Sequence, residues 1–382
     1  MRRKVPTSFS PILKALQLFR LCASYPTAVY TSRALVFNAP MQSTRTFFRT
    51  GVGAAAIGLA LTVALAGCSS VESGPQSSSA APPAVMELCD GTEVSFDRPV
   101  EKIATGNTAA LELLIRLGAA DKVVGTAWSD GAGALSADVR AQAEKVPSLG
   151  ARAADKEKLL QSGAQVYIDP YEGMTMMGIT GPTAADFQAA GMKRVVLRSS
   201  ACTASLTAPV TTLDGVMADI RSLAALVGRQ QEGEKLVESM RTEPVAADAI
   251  RPKVLYLTSA RNNDQASTIG NRQIGNAIIE LAGGTNIFRA VDKAQFASSW
   301  EDVVAGDPDV IVVAVTRQSS RDAVDRSYQA LLDQLKSDPR IAGLRAVREG
   351  RFVRAYAEDF TLPGVENATV IRSLSQELSK LR

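Results

Sequence analysis

The sequence predicts an α/β protein: two α/β lobes with mostly parallel sheets, joined by a long bridging helix. Two observations carry this. Seven short apolar bursts (KIATGN, VVGTAW, QVYIDPY and RVVLRSS, then KVLYLTSA, VIVVAVT and RFVRAYA) alternate with stretches of helical period, the order that builds parallel sheets. Between the fourth and fifth bursts lies a segment, 211–250, with helical period throughout. There Leu213, Val216, Met217, Ile220, Leu223 and Val227 recur at steps of three and four up to Gly228, and Leu236, Val237, Met240, Ala247 and Ile250 carry on from Gln230. Pro244 is expected to kink this run or split off its last turn, because it lacks the N–H and clashes with the preceding turn. The competing arrangement is one doubly wound domain with a long surface helix.

Each element follows from local chemistry. Residues 1–67 read as a leader, with translation expected to start at Met41: Arg45 and Arg49 precede an apolar run too short to span a bilayer but suited to a signal segment. Leu65-Ala66-Gly67-Cys68 resembles the bacterial lipobox, which makes Cys68 the expected lipidation site. The Ser-, Pro- and Ala-rich stretch 68–84 suits a flexible tether. The N-terminal lobe is expected over 85–208, the helical bridge over 209–250 and the C-terminal lobe over 251–382. The first lobe opens with a hairpin turning at Asp90-Gly91. Asn107 then begins a helix that Gly118 ends. In the second lobe, Ser298 and Glu301 form an expected capping box, and Gly283-Gly284 stop a helix.

Charge and composition exclude several functions. Lys and Arg total 42 against 39 Asp and Glu, but eight of the basic residues precede Cys68 with no acid among them. The remainder has 34 basic and 39 acidic residues, a net charge near −5, so a nucleic-acid surface is not indicated. The chain has no histidine. Ser-His-Asp and Cys-His catalysis are therefore impossible, and a metal site built on imidazoles is ruled out. No CxxC, P-loop or GxGxxG is present. Acids after strands, such as Asp130, Asp169 and Glu172, read as caps or turn residues rather than a catalytic pair. The sequence thus points away from an enzyme, with no cofactor and no metal. Past the leader and anchor, Cys89 and Cys202 remain; in an exported chain they suggest one bridge, the alternative being two buried thiols.

In open α/β sheets the ligand crevice lies beyond the carboxyl ends of the strands. Candidate wall residues are therefore Asn107, Trp128, Tyr171, Ser199 and Ser200 in the first lobe, and Arg261, Arg272, Arg317 and Tyr356 in the second, with Trp300 in the SSWED turn. Arginine forks suit anionic oxygens, and the aromatics suit a flat ligand. Arg261 and Arg317 follow strand ends of one lobe, so they are expected to face an anion together and to matter little for stability of the empty protein.

Five stretches in register, AALELLIRLGAADKVVGTA, PSLGARAADKEKLLQSGAQVYID, IIELAGGTNIF, WEDVVAGDPDVIVVAV and LRAVREGRFV, resemble the solute-binding lipoproteins of ABC importers for cobalamin, haem and ferric siderophores. This resemblance implies the class III fold of that group, an extracytoplasmic location with a membrane anchor, and a monomer. It implies an ABC permease with its ATPase as partner and a small-molecule ligand. An iron-siderophore leads, with corrinoid, haem or a deazaflavin-coenzyme precursor as alternatives, and a sensory or structural envelope lipoprotein as the non-transport alternative. The family docks its permease through one carboxylate per lobe. Glu366 falls near the second-lobe position, whereas the first-lobe position near Gly181 is not acidic and Glu172 is only nearby.

Overall fold

The computed structural model describes residues 83–129, 135–170, 181–241, 250–261, 265–318 and 320–381. The leader, Cys68, nearly all of the tether, Asp130, Tyr171, Glu172, Pro244, Asn262 and Asn263 lie outside the described residues.

The first lobe starts with β1 (Ala84–Glu87) and β2 (Glu93–Phe96), an antiparallel hairpin pairing Ala84 with Phe96 and Glu87 with Glu93. Its turn uses Gly91 at φ +86°, a conformation that costs glycine nothing. Asp90 Oδ1 accepts from the Thr92 N–H at 2.9 Å. Then come β3 (Ile103–Thr105), α1 (Thr108–Arg116), β4 (Val123–Ala127), α2 (Ala137–Ala143), β5 (Ser148–Gly150), α3 (Lys156–Gln161), β6 (Val166–Ile168), α4 (Ala184–Ala189), β7 (Lys193–Val195) and α5 (Arg198–Ala201). The five strands β5-β4-β3-β6-β7 form one parallel sheet.

The segment expected to bridge the lobes is not one long helix: it forms α6 (Asp214–Val227) and α7 (Gln230–Ser239). Gly228 ends α6 in the left-handed conformation, φ +70°. Helix α6 has 14 residues, about 21 Å at ~1.5 Å per residue. Its buried stripe, Val216, Ile220, Leu223 and Val227, is the face the spacing predicts. Helix α7 packs back against α6, and Gly233 makes this possible: a Cβ there would meet the Ala224 Cβ at 2.5 Å. The hairpin strand β1 packs on α6. Ahead of α6, Val210 reaches the second lobe: its N–H donates to Asn271 O at 2.7 Å, and its carbonyl accepts from Asn276 Nδ2 at 2.9 Å.

The second lobe runs β8 (Lys253–Leu257), β9 (Ser259–Arg261), β10 (Gln265–Ile269), α8 (Ile274–Leu281), β11 (Thr285–Asn286), β12 (Gln295–Ser299), α9 (Trp300–Gly306), β13 (Val310–Val315), α10 (Arg321–Ser337), α11 (Arg345–Arg348), β14 (Phe352–Tyr356), α12 (Ala357–Thr361) and α13 (Glu366–Ser379). Strands β11-β8-β13-β14 are parallel. All six residues of β13, VIVVAV, are buried, the continuous apolar run of a strand covered on both faces. A second sheet, β12-β10-β9, is antiparallel, which the sequence reading does not contain. The burst KVLYLTSA divides at Thr258 between β8 and β9 and so serves both sheets. The α9 cap also falls one residue later than expected: Ser299, not Ser298, accepts from the Asp302 N–H at 3.1 Å, and Ser298 is in β12.

Candidate functional site

The carboxyl ends of β13 and β14 bring the second-lobe candidates together. Arg317 follows β13, and its guanidinium lies 4.5 Å from the centre of the Tyr356 ring at the end of β14. It also forms an ion pair with Asp359 of α12, while its backbone N–H donates to both Glu358 carboxylate oxygens at 3.1 Å. The stretch AEDF that follows β14 thus wraps two acids around Arg317. Burial pushes the Asp359 carboxyl up to about 6, against the pull of Arg317, and burial also raises Glu358. The expectation of an arginine free to face an anion is therefore corrected: the charge of Arg317 is met within its own lobe.

The turn between α12 and α13 is fixed by buried Asn367, whose Nδ2 donates to Asp359 O at 3.0 Å and Leu362 O at 3.2 Å. Its Oδ1 accepts from the Gly364 N–H at 2.7 Å. This turn sets Glu366 at the first position of α13. Glu366 reaches across to the first lobe, accepting from the Arg116 guanidinium at 2.5 Å, and Arg116 is also paired with Glu112 on its own helix at 2.8 Å. Burial holds the Glu112 carboxyl above its ordinary range, opposed by Arg116.

On the first-lobe side, Asn107 caps α1, its Oδ1 accepting from the Ala110 N–H at 2.9 Å. Half-buried Trp128 ends β4 in the left-handed region, φ +53°, with its N–H donating to Arg152 O at 2.7 Å. A bulky residue rarely adopts that backbone, and such outliers concentrate where a side chain must be aimed. Trp128 packs against the edge of the first-lobe core that includes Leu149 and Tyr167.

Other candidates fall elsewhere. Trp300 is 1 % exposed and sits in the second-lobe core with Val303 and Leu335, the Arg340 guanidinium 5.4 Å above its ring. As the first residue of α9 it points under that helix, so it lines no cleft. Of Arg261 only the backbone is described, at the end of β9 opposite Gln265. Arg272 is half-buried in the loop between β10 and α8, its N–H donating to Lys293 O at 3.2 Å. Ser199 is not in a cleft wall: its N–H and Oγ donate to buried Asp219 of α6, which also accepts from the Arg198 N–H at 3.0 Å. Burial lifts the Asp219 carboxyl to about 6. This knot floors a pocket of about 410 Å³ walled by the β1–β2 hairpin and by Cys89 and Cys202, which form a disulfide. Asp169, one of the acids read as a cap, is buried and paired with Arg194 at 3.5 Å. Among the described residues, no group of three or more His, Cys, Asp or Glu side chains is arranged to hold a metal ion.

Residues 103–358 match the periplasmic binding protein family, and the chain belongs to it. It is a binding protein, not an enzyme, and the family implies an extracytoplasmic location. The chain is similar to a cobalamin-binding protein of Halobacterium salinarum, 26 % identical over 250 residues, covering 63 % of this chain and 60 % of that relative's length. Among solved structures, a periplasmic binding protein from Veillonella parvula superposes with a TM-score of 0.66 at 22 % identity, covering 78 % of this chain and 97 % of the other. An ABC-type Fe3+-hydroxamate transport system structure from Saccharomonospora viridis gives 0.60 at 23 % identity, covering 77 % and 98 %. At these identities the structural likeness establishes the fold: α/β lobes of the class III periplasmic binding proteins.

Proposed function

We propose that this protein is the lipid-anchored substrate-binding component of an ABC importer, capturing a ferric siderophore or a similar chelate and handing it to a membrane permease. The observation that carries the reading is the pairing of family membership with aromatic side chains at strand ends, Trp128 on one lobe and Tyr356 on the other. Large pre-aimed rings offer contact area at low entropic cost. A corrinoid is the second reading, favoured by the similarity to a cobalamin-binding protein.

The test is a fluorescence titration with a panel of ferric hydroxamates, corrinoids, haem and deazaflavins. The chain has two tryptophans, and Trp300 is buried in the core, so saturable quenching reports chiefly on Trp128. Quenching by ferric hydroxamates, lost in Trp128→Leu, supports the reading; quenching by corrinoids alone moves the assignment to them; no response from any member overturns it. Anchoring is tested separately: Cys68→Ala should abolish fatty-acid labelling and release the protein from membranes, and unchanged labelling rules the anchor out. Half-exposed Glu366 is the proposed second-lobe contact for the permease, and Glu366→Gln should weaken docking to it in a permease-binding assay.

A further inference from the structure

We infer that the Arg116–Glu366 ion pair is a clamp between the lobes, which opposes their separation. The two residues are 250 positions apart in sequence and belong to different lobes. Each stands on an element embedded in its own lobe. Helix α1 is fixed by Leu111, Leu113, Leu114 and Ile115, and α13 by Ile371, Leu374 and Leu378, all buried. A bond between two such rigid ends fixes the gap rather than adjusting to it.

The charges around the pair make Arg116 its essential member. Glu112 shares its guanidinium from the same helix, at 2.8 Å. From the second lobe, Glu366 stands opposite, Asp359 is close enough to feel it, and Arg317 is committed to Asp359 and the Tyr356 ring. Ser136, just before α2, adds one neutral oxygen 3.4 Å from Arg116. Without Arg116, Glu112 of one lobe would confront Glu366 of the other with neither ion-paired, and Arg317, which also acts on Glu112, is neutralised by Asp359, so the remaining like-charge repulsion favours separation of the lobes. Without Glu366, Arg116 keeps Glu112 as a partner and the junction loses attraction but gains no repulsion. The two substitutions are therefore unequal, an asymmetry that a purely local salt bridge would not show between lobes.

The experiment measures the distance between spin labels at exposed Ala141 of α2 and Ala330 of α10 in the ligand-free protein, together with amide exchange in α1. Arg116→Gln should shift the distance distribution longer and broaden it, and speed α1 exchange roughly 3- to 10-fold, the scale of a partly exposed ion pair plus an uncovered repulsion. Glu366→Gln should produce a smaller shift in the same direction. Adding Glu112→Gln to Arg116→Gln should recover part of the wild-type distance. Unchanged distances in both single variants, each folded by circular dichroism, overturn the clamp, as does a larger effect from Glu366→Gln than from Arg116→Gln. If Arg116→Gln fails to fold, Glu366→Gln decides alone, because its half-exposed site tolerates the change. No ligand enters the measurement, so its outcome is independent of the ligand assignment.

Discussion

Arg317 shows how one side chain departs from what its position in the sequence suggests. An arginine just past a parallel strand reads as an anion receptor, and the two acids that follow β14 give no local sign that they fold back onto it. The structure pairs Arg317 with Asp359 and stacks it on Tyr356. Arg317→Ala should then leave Asp359 half-buried without its cation. We expect a loss of stability of roughly 1.5–3 kcal/mol, the worth of a hydrogen bond to a charged group, together with a further rise of the Asp359 carboxyl above 6, read by carboxyl-carbon NMR titration. An unfolding temperature equal to wild type would mean the pair is idle. Glu112 and Arg116 were hidden from sequence reading for a related reason. Four residues apart on α1, they carry no local sign of Glu366, which is 250 positions from Arg116. Asn107 was legible because a cap acts within three residues. Trp128 was legible because it ends a strand burst, although its left-handed backbone was not.

At the level of elements, the Asp90-Gly91 hairpin, α1 between Asn107 and Gly118, and α6 closed by Gly228 could be read from local period and turn chemistry, whereas the α9 cap lies at Ser299 and not at the expected Ser298. The antiparallel sheet β12-β10-β9 could not. Its strands QASTI and QFASS have mixed polarity, and their pairing is decided by contacts between segments some thirty residues apart. The return of α7 onto α6 rests on Gly233, which a periodicity argument reads as a weak spot in a helix. Helix propensity alone says that Gly233→Ala should stabilise by up to about 1 kcal/mol. The 2.5 Å approach to the Ala224 Cβ reverses the sign, since a Cβ has its position fixed by its own helix backbone and cannot turn away. We expect Gly233→Ala to destabilise by about 1–3 kcal/mol in denaturant unfolding, and a gain in stability would refute the close packing.

The molecule as a whole carries buried carboxyls on both sides of its bridge, and this gives its stability a pH dependence. Asp219 and Asp359 are raised by burial to about 6 from 3.8, and Glu112 and Glu358 move the same way. A carboxyl raised on folding is destabilising while ionised. That penalty is fully present above about pH 6 and is relieved as pH falls through 6 toward the unfolded value. The exposed acids whose values are lowered, such as Asp186 at about 2, act only below the unfolded value. The unfolding temperature should therefore be higher at pH 5.5 than at 7.5, by a few degrees, and a fall on acidification over that interval would contradict the burial of these groups. The Cys89–Cys202 bridge acts at the same scale, closing a separation of 113 residues. Reduction should cost up to about 4–5 kcal/mol on the chain-entropy view, seen as a lower denaturant midpoint. The bridge also determines how the protein bears a pull. A force applied at Ala84 loads β1, whose four register pairs with β2 would open like a zipper. The peeling stops at Cys89, two residues beyond β1, where the covalent link passes the load to Cys202 at the end of α5 and so to the segment that leads into α6. The parallel sheet β5-β4-β3-β6-β7 stays off that path, so the strand ends that carry Asn107 and Trp128 are shielded from tension applied at Ala84.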